Sequence, residues 1–306
     1  MPEPRALTVH DRVAGSLLGL FCGDALGMPF ETWPADAIPE RLEMLDARLG
    51  RGRHTDDTQM AIALCESLLR CGRVDEEDLA AAILEAFDPR RGYGPGTTTV
   101  VELWRAGVPV RDAAPRLFGG EGSAGNGAAM RVAPVGLLFA HEPERCVAQA
   151  RAQARLTHAH PLGIDGAAAV AAAVGAAVRG DDHLAAAREA VRTAEFEERL
   201  ARAADLAGRG EWAAAGALGA TVAALHSVPA ALLAAAAPGF EAALTCAVRC
   251  GGDTDTVAAM AGAVAGARFG AGAIPARWLD ALEDGARGRS HVEGLAARLA
   301  ALVSAT

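Results

Sequence analysis

GSLLGLFCGDALG, residues 15–27, sets a glycine at every fourth place of an apolar run: Gly15, Gly19, Gly23 and Gly27. Residues four apart on an α-helix form one ridge, and a glycine ridge is smooth enough for another backbone to come close. Near the other end of the chain Gly262, Gly266 and Gly270 repeat the spacing. A glycine inside a helix costs up to about 1 kcal/mol against alanine, so seven of them need a structural return. Close packing of two central helices supplies it. The residues between the glycines do not match, so the echo is not a gene repeat.

The rest of the chain agrees with that reading. Of 306 residues, 51% are hydrophobic but only 4% aromatic, so the core must be built from Ala, Leu and Val. Apolar residues recur at three and four positions and nowhere alternate, which predicts an all-α fold. The length suits a single compact multi-helix domain over residues 8–306, after a flexible tail at 1–7. Helices are expected over 11–26, 57–71, 76–87, 97–106, 127–140, 143–156, 161–179 and 182–207. Five more are expected over 212–225, 238–249, 255–269, 275–283 and 292–303. Pro134 should kink the fifth.

The formal charge of -9 excludes a broad nucleic-acid-binding face, which would need a basic patch. Cys22, Cys65, Cys71, Cys146, Cys246 and Cys250 form no CxxC pair and no zinc spacing. They read as buried free thiols, suited to a reducing cytoplasm. No secretory signal is expected at the polar, proline-broken start. The small-residue run from Gly166 to Val178 reads as a buried core helix, too short to span a bilayer. Nothing demands more than a monomer.

Four turns interrupt the helical pattern: Gly23–Glu31, His54–Gln59, Gly119–Arg131 and Cys250–Thr256. Two are acidic. Thr55-Asp56-Asp57 and Asp253-Thr254-Asp255-Thr256 each precede an apolar helix. Helix capping accounts for one such residue apiece. Two close-set carboxylates twice over exceed that need. If the two helix starts meet, like charges at about 4 Å repel by roughly 4 kcal/mol at an effective dielectric near 20. Protons or cations would have to lie between them, and Asp and Thr oxygens are hard ligands suited to Mg²⁺ or Mn²⁺. Spacing alone leaves capping and metal binding both open. Gly251-Gly252 lets the backbone turn sharply before Asp253. The loop GGEGSAGNG at 119–127 is either a flexible linker or an anion site ahead of a helix. It lacks the Lys-Ser/Thr of a P-loop.

Five stretches resemble the ADP-ribosylglycohydrolase family. They are GSLLGLFCGDALGMPFE (15–31), HTDDTQMAIALCESLL (54–69), GNGAAMRVAPVGLL (125–138), LTHAHPLGIDGA (156–167) and CGGDTDTVAAMAGAVAGA (250–267), in the family's order across most of the chain. The resemblance implies two divalent cations, Mg²⁺ or Mn²⁺, held by Thr55, Asp56, Asp57, Asp253, Asp255 and Thr256, with Glu31, on a mobile segment over the metals, also able to ligate one of them. It implies that Gly94, Gly96, Ser123, Gly125, Asn126, Gly127 and His158 touch an ADP-ribose group, and that Phe118 stacks on its adenine. Ala124 stands where vertebrate members carry an aromatic, so the adenine pocket should differ. Asp24, inside the small-residue helix, is read as a buried support, and His54 as structural. His160 has no support from the resemblance.

The activity implied is hydrolysis of the bond between C1″ of ADP-ribose and an acceptor on a protein, nucleobase or small molecule. Asp56, Asp57, Asp253 and Glu31 are the candidate general bases. A non-catalytic ADP-ribose-binding or crystallin-like protein and a dinuclear phosphohydrolase are the competing readings.

Overall fold

In the computed structural model, which describes residues 6–304, the chain folds into helices alone, and β-pairing among those residues is limited to one isolated bridge, Gly125 to Ala223. In chain order the helices begin with α1 (Val9–Gly27), α2 (Asp56–Cys71), α3 (Glu76–Ala86), α4 (Pro95–Arg105), α5 (Val110–Ala113) and α6 (Gly127–Met130). Next come α7 (Ala133–Leu138), α8 (Pro143–Ala154), α9 (Pro161–Arg179), α10 (His183–Ala190) and α11 (Ala194–Gly208). The last are α12 (Ala224–Ala235), α13 (Phe240–Val248), α14 (Thr254–Phe269), α15 (Ala276–Leu279) and α16 (Arg289–Val303). Most of the tail expected at 1–7 lies outside the described residues. Thr8 caps α1, with Asp11 returning the bond to its backbone.

The two glycine ridges meet. Gly15 lies against Gly266, Gly19 against Gly262, Gly23 against Ala258 and Gly27 against Thr254, so α1 and α14 run antiparallel, backbone on backbone. A β-carbon at Gly262 or Gly266 would fall far inside contact distance of the opposing carbonyl. This register decides where the chemistry sits, because it lays the end of α1 beside the start of α14. Helix α9 packs against both, and its alanines are almost all buried. Contrary to expectation, α9 (19 residues) is long and apolar enough to cross a membrane, as is the stretch Val9–Phe30; of the most apolar 18 residues of each, 78% and 94% are buried inside the protein.

Several elements differ from expectation; the helix expected over 275–283 is only the short α15 (Ala276–Leu279), and α5 was not expected. Residues 127–140 form two short helices, and Pro134 starts α7 rather than kinking one helix. Residues 182–207 break at 191–193, where Asp165 of α9 accepts Arg192 N at 2.9 Å, Thr193 N at 2.8 Å and Thr193 Oγ1 at 2.8 Å. Residues 212–225 give a 3₁₀ turn (Trp212–Leu218) and a bend. Helix α12, with Pro229 in its interior, was not expected. Three of the six free thiols, Cys71, Cys246 and Cys250, are only partly buried.

Candidate metal centre and ligand cleft

Asp24 ties the first acidic start to α1. Fully buried near the end of that helix, its carboxylate accepts Thr55 N at 2.9 Å and Thr58 N at 3.0 Å. It also accepts the hydroxyls of Thr55 at 2.9 Å and Thr58 at 2.6 Å. The buried support read from the sequence thus docks α2 onto α1. The α1–α14 register brings in the second start, and Thr254 Oγ1 donates to Gly27 O at 2.8 Å across the join. Gly251 and Gly252 make the turn before Asp253 at φ 73° and 67°. Thr32 N donates to Gly252 O at 2.7 Å and Gly252 N to Trp33 O at 3.0 Å, so the segment carrying Glu31 is laced to this turn. Thr32 sits at φ 70°, a left-handed conformation unfavourable for a β-branched residue.

The two acidic helix starts therefore face each other. Ligand atoms of Asp24, Asp57 and Asp255 lie within 4.8 Å of one another. Burial, then the charges of Asp24, Asp253 and Glu31, push Asp56 up to about 8. Burial and the surrounding carboxylates hold Asp57 and Asp255 well above the usual carboxylate range. Asp253 is raised by burial despite hydrogen bonds from Asn126, Asp255 and Thr256, and burial likewise raises Asp24.

Capping does not use these groups up. Thr55 does cap α2, but the Asp253 side chain makes no capping bond to α14. Thr55 Oγ1 lies 2.9 Å from Asp24 Oδ1 and 3.0 Å from Asp57 Oδ2, yet has one hydrogen to give. Asp57 Oδ1 is buried with no partner among the described residues. A buried carboxylate oxygen left bare among like charges is costly unless a proton or cation meets it. The oxygen-only donor set fits hard divalent cations.

These carboxylates form one end of a cleft of about 770 Å³. Glu31, Asp56, Asp57, Asp253, Asp255 and Thr256 line it, and so do Gly94, Gly96, Phe118, Ser123, Gly125, Asn126, Gly127 and His158. Thr55 does not; it is fully buried behind Asp57. Glu31 stands at the rim, its carboxylate 3.4 Å from Arg48 Nη2. Phe118 is 58% exposed at φ 50°, a strained, solvent-facing aromatic rather than a core residue.

The sequence is similar to known proteins over the same span. The sequence model of the ADP-ribosylglycohydrolase family matches residues 5–306. The chain belongs to the ADP-ribosylglycohydrolase family. It is 38% identical over 180 residues to ADP-ribosylhydrolase ARH3 of Xenopus tropicalis, covering 56% of this chain and 51% of that protein. Against the ADP-ribosyl-[dinitrogen reductase] glycohydrolase of Rhodospirillum rubrum, identity is 32% over 283 residues, 90% of this chain and 92% of that one. A solved structure described as an ADP-ribosylglycohydrolase-related protein complex superposes with a TM-score of 0.79 at 33% identity, over 96% of this chain and 99% of that one. The chain spans about half the length of the ARH3 proteins it matches.

This family member also has site features its sequence did not signal. Val222 and Ala223 line the cleft from a bend with no motif, held by Asn126 N donating to Val222 O at 2.9 Å. Asn126 Nδ2 donates to Asp253 Oδ2 at 2.6 Å and Ser227 Oγ at 3.0 Å, coupling the glycine loop to the acidic cluster. The helix after that loop, α6, is one turn long, so its dipole adds little for an anion. His54, read as structural, lies 2.8 Å through Nδ1 from Glu283. Glu283 also binds Arg91 at 2.6 Å; burial alone would raise this carboxyl, but His54 and Arg91 hold it far below its ordinary range. His160, which the resemblance left unsupported, lines the cleft and caps α9.

Proposed function

We propose that this chain hydrolyses the glycosidic bond between C1″ of ADP-ribose and an acceptor, in a reaction dependent on divalent cations. The observation that carries this reading is the meeting of two acidic helix starts, with Asp57 Oδ1 bare between them, at one end of a nucleotide-sized cleft. Asp56, Asp57, Asp253, Asp255 and Thr256 would hold the cations, with Thr55 steadying Asp57 from behind and Glu31 reaching in from the rim. When bound, divalent cations supply positive charge that orients ribose hydroxyls and acidifies water. Mg²⁺ and Mn²⁺ both suit these oxygens.

The chain's own groups account for the remaining tasks. Gly94 and Gly96 open one wall, and Ser123, Gly125, Asn126, Gly127 and His158 form another for the diphosphate and ribose. Phe118 offers its exposed face to adenine. Bond cleavage develops oxocarbenium character on the ribose, which the surrounding carboxylates stabilise. Asp56 accepts no hydrogen bond from another described residue, so the oxygen it does not commit to a cation is free to take a proton from attacking water. The Rhodospirillum relative, named for dinitrogen reductase, supports a protein-linked acceptor. The free thiols support a cytoplasmic setting.

The test is a panel of ADP-ribosylated acceptors (arginine-, serine- and nucleobase-linked, and O-acetyl-ADP-ribose) assayed with Mg²⁺ or Mn²⁺, with EDTA, and with Asp56→Ala. Release of intact ADP-ribose from at least one acceptor is expected, abolished by EDTA and by the substitution while the helical circular dichroism is unchanged. Binding of ADP-ribose without release from any acceptor would instead support a binding protein. AMP as product would support a phosphohydrolase. Full activity in Asp56→Ala would overturn the site.

A further inference from the structure

No arginine among the described residues lines the cleft, and the chain contains no lysine. On the protein's side, recognition of a diphosphate there falls to neutral donors aimed by groups behind the wall. One buried chain of hydrogen bonds does this. Arg131, just after α6, is fully buried, and no carboxylate among the described residues forms an ion pair with it. Its Nε donates to Gln153 Oε1 at 2.7 Å, and its Nη2 donates to Gln153 O at 3.0 Å and Thr157 Oγ1 at 2.9 Å. Gln153 is pinned in turn, its Nε2 donating to Ala128 O at 2.9 Å. Thr157 Oγ1 lies 2.7 Å from His158 Nδ1.

The donor inventory decides which way the last bond runs. A guanidinium only donates, so Thr157 Oγ1 accepts from Arg131. The threonine's own hydrogen then needs an acceptor, and His158 Nδ1 is the one its surroundings provide. Were Nδ1 protonated, a buried hydroxyl hydrogen would be stranded, at a cost of about 1–3 kcal/mol. The imidazole therefore carries its proton on Nε2. That edge stands over the glycine loop: a methyl group on Gly127 would lie 3.5 Å from Nε2, and one on Gly125 3.7 Å. No described protein group accepts a bond from it.

We propose that Arg131 and Thr157 are positioning residues that fix His158 in its Nε2–H tautomer, making the ring a dedicated hydrogen-bond donor to an anionic oxygen held over Gly125–Gly127. The identity of that anion as the ADP-ribose diphosphate rests on the reading of the cleft given above. The fixed tautomer does not. Burial, and secondarily the charge of Arg131, lower His158 to about 3, so the ring stays neutral at physiological pH and its role depends on which nitrogen bears the proton.

The experiment uses the full chain with ¹⁵N-labelled histidine, His158 being assigned from the signals missing in His158→Gln. In the wild type, Nδ1 should have the shift of an unprotonated nitrogen and Nε2 that of a protonated one. Thr157→Val should shift the ring toward the other tautomer and weaken ADP-ribose binding by roughly tenfold, about 1.4 kcal/mol, with Mg²⁺ affinity unchanged. Thr157→Ser, which restores the hydroxyl, should recover both tautomer and affinity. A wild-type ring protonated on Nδ1 overturns the inference, as does a folded Thr157→Val protein with wild-type ring signals. A wild-type ring protonated on Nε2 in a protein that does not bind ADP-ribose supports the relay and removes the reading of the cleft instead.

Discussion

Asp57 bears most directly on the chemistry. Its Oδ1 has no partner among the described residues, its Oδ2 competes with Asp24 for the single hydrogen of Thr55, and four other carboxylates raise its proton affinity. A residue in that position serves the metal-free protein badly. Asp57→Asn replaces the crowded, buried carboxyl group with an amide of the same shape that never ionises. In EDTA at pH 8 this should stabilise the fold by about 1–3 kcal/mol, seen as a rise in Tm of roughly 3–8 °C. The same substitution should abolish stabilisation by Mg²⁺ or Mn²⁺. A lower Tm in EDTA would mean that the aspartate is structural, and the metal assignment would lose its basis. The pairing of opposite signs, gain without metal and loss with it, separates a ligand from a cap.

At the scale of helices, the α1–α14 contact leaves no room for a side chain. Gly266→Ala would drive a β-carbon into the backbone of Gly15. Neither helix can yield by rotating a side chain, so the cost should reach at least about 3 kcal/mol, beyond usual overpacking. The helices would part where α1 and α14 together set the acidic cluster, so Mg²⁺ affinity should fall as well. Gly294→Ala is the control, since Gly294 lies on an exposed face of α16 with open space around it. There the change should stabilise by up to about 1 kcal/mol through helix propensity. Urea denaturation of the two variants decides the matter; equal effects would show that the ridge is not close-packed. Helix α12 illustrates what a local pattern cannot reveal. Pro229 removes the donor that Leu225 O would use, and Arg199 Nε, from α11, supplies one at 3.3 Å. A proline tolerated by a distant arginine leaves no local mark. The break between α10 and α11 has a similar origin in Asp165 of α9.

For the whole molecule, stability should depend on pH in a direction set by the acidic cluster. Asp56, Asp57 and Asp255 have folded pKa values raised above those of the unfolded chain, Asp56 to about 8. Such groups contribute stability that is complete below the unfolded pKa and is lost as pH rises through the folded one. His158 and His183, lowered by burial to about 3 and about 4, act oppositely, but their contribution is complete above the ordinary histidine range. Between pH 6.5 and 8.5 the histidines change the balance only near the lower edge, and the carboxylates dominate it. The Tm in EDTA should therefore fall across that window, and saturating Mg²⁺ should raise it more at pH 8.5 than at pH 6.5. A metal effect that is flat or larger at low pH would place the cations away from this cluster.

The sequence by itself determined the helical class, the two glycine ridges and the residues of the acidic turns, because these rest on local spacing and residue chemistry. Its own reading of Asp24 as a support and of His54 as structural rested on the cost of buried charge and on context. Only the tertiary structure decided that the two acidic turns meet, that Thr55 lies behind Asp57 rather than on the cleft wall, and that Val222 and Ala223 complete that wall. It also revealed the Arg131–Thr157–His158 chain and the partners that keep α12 intact. The reason is physical: charge convergence, burial and hydrogen-bond direction are relations between groups far apart along the chain, and they exist only once α1 and α14 have closed on each other.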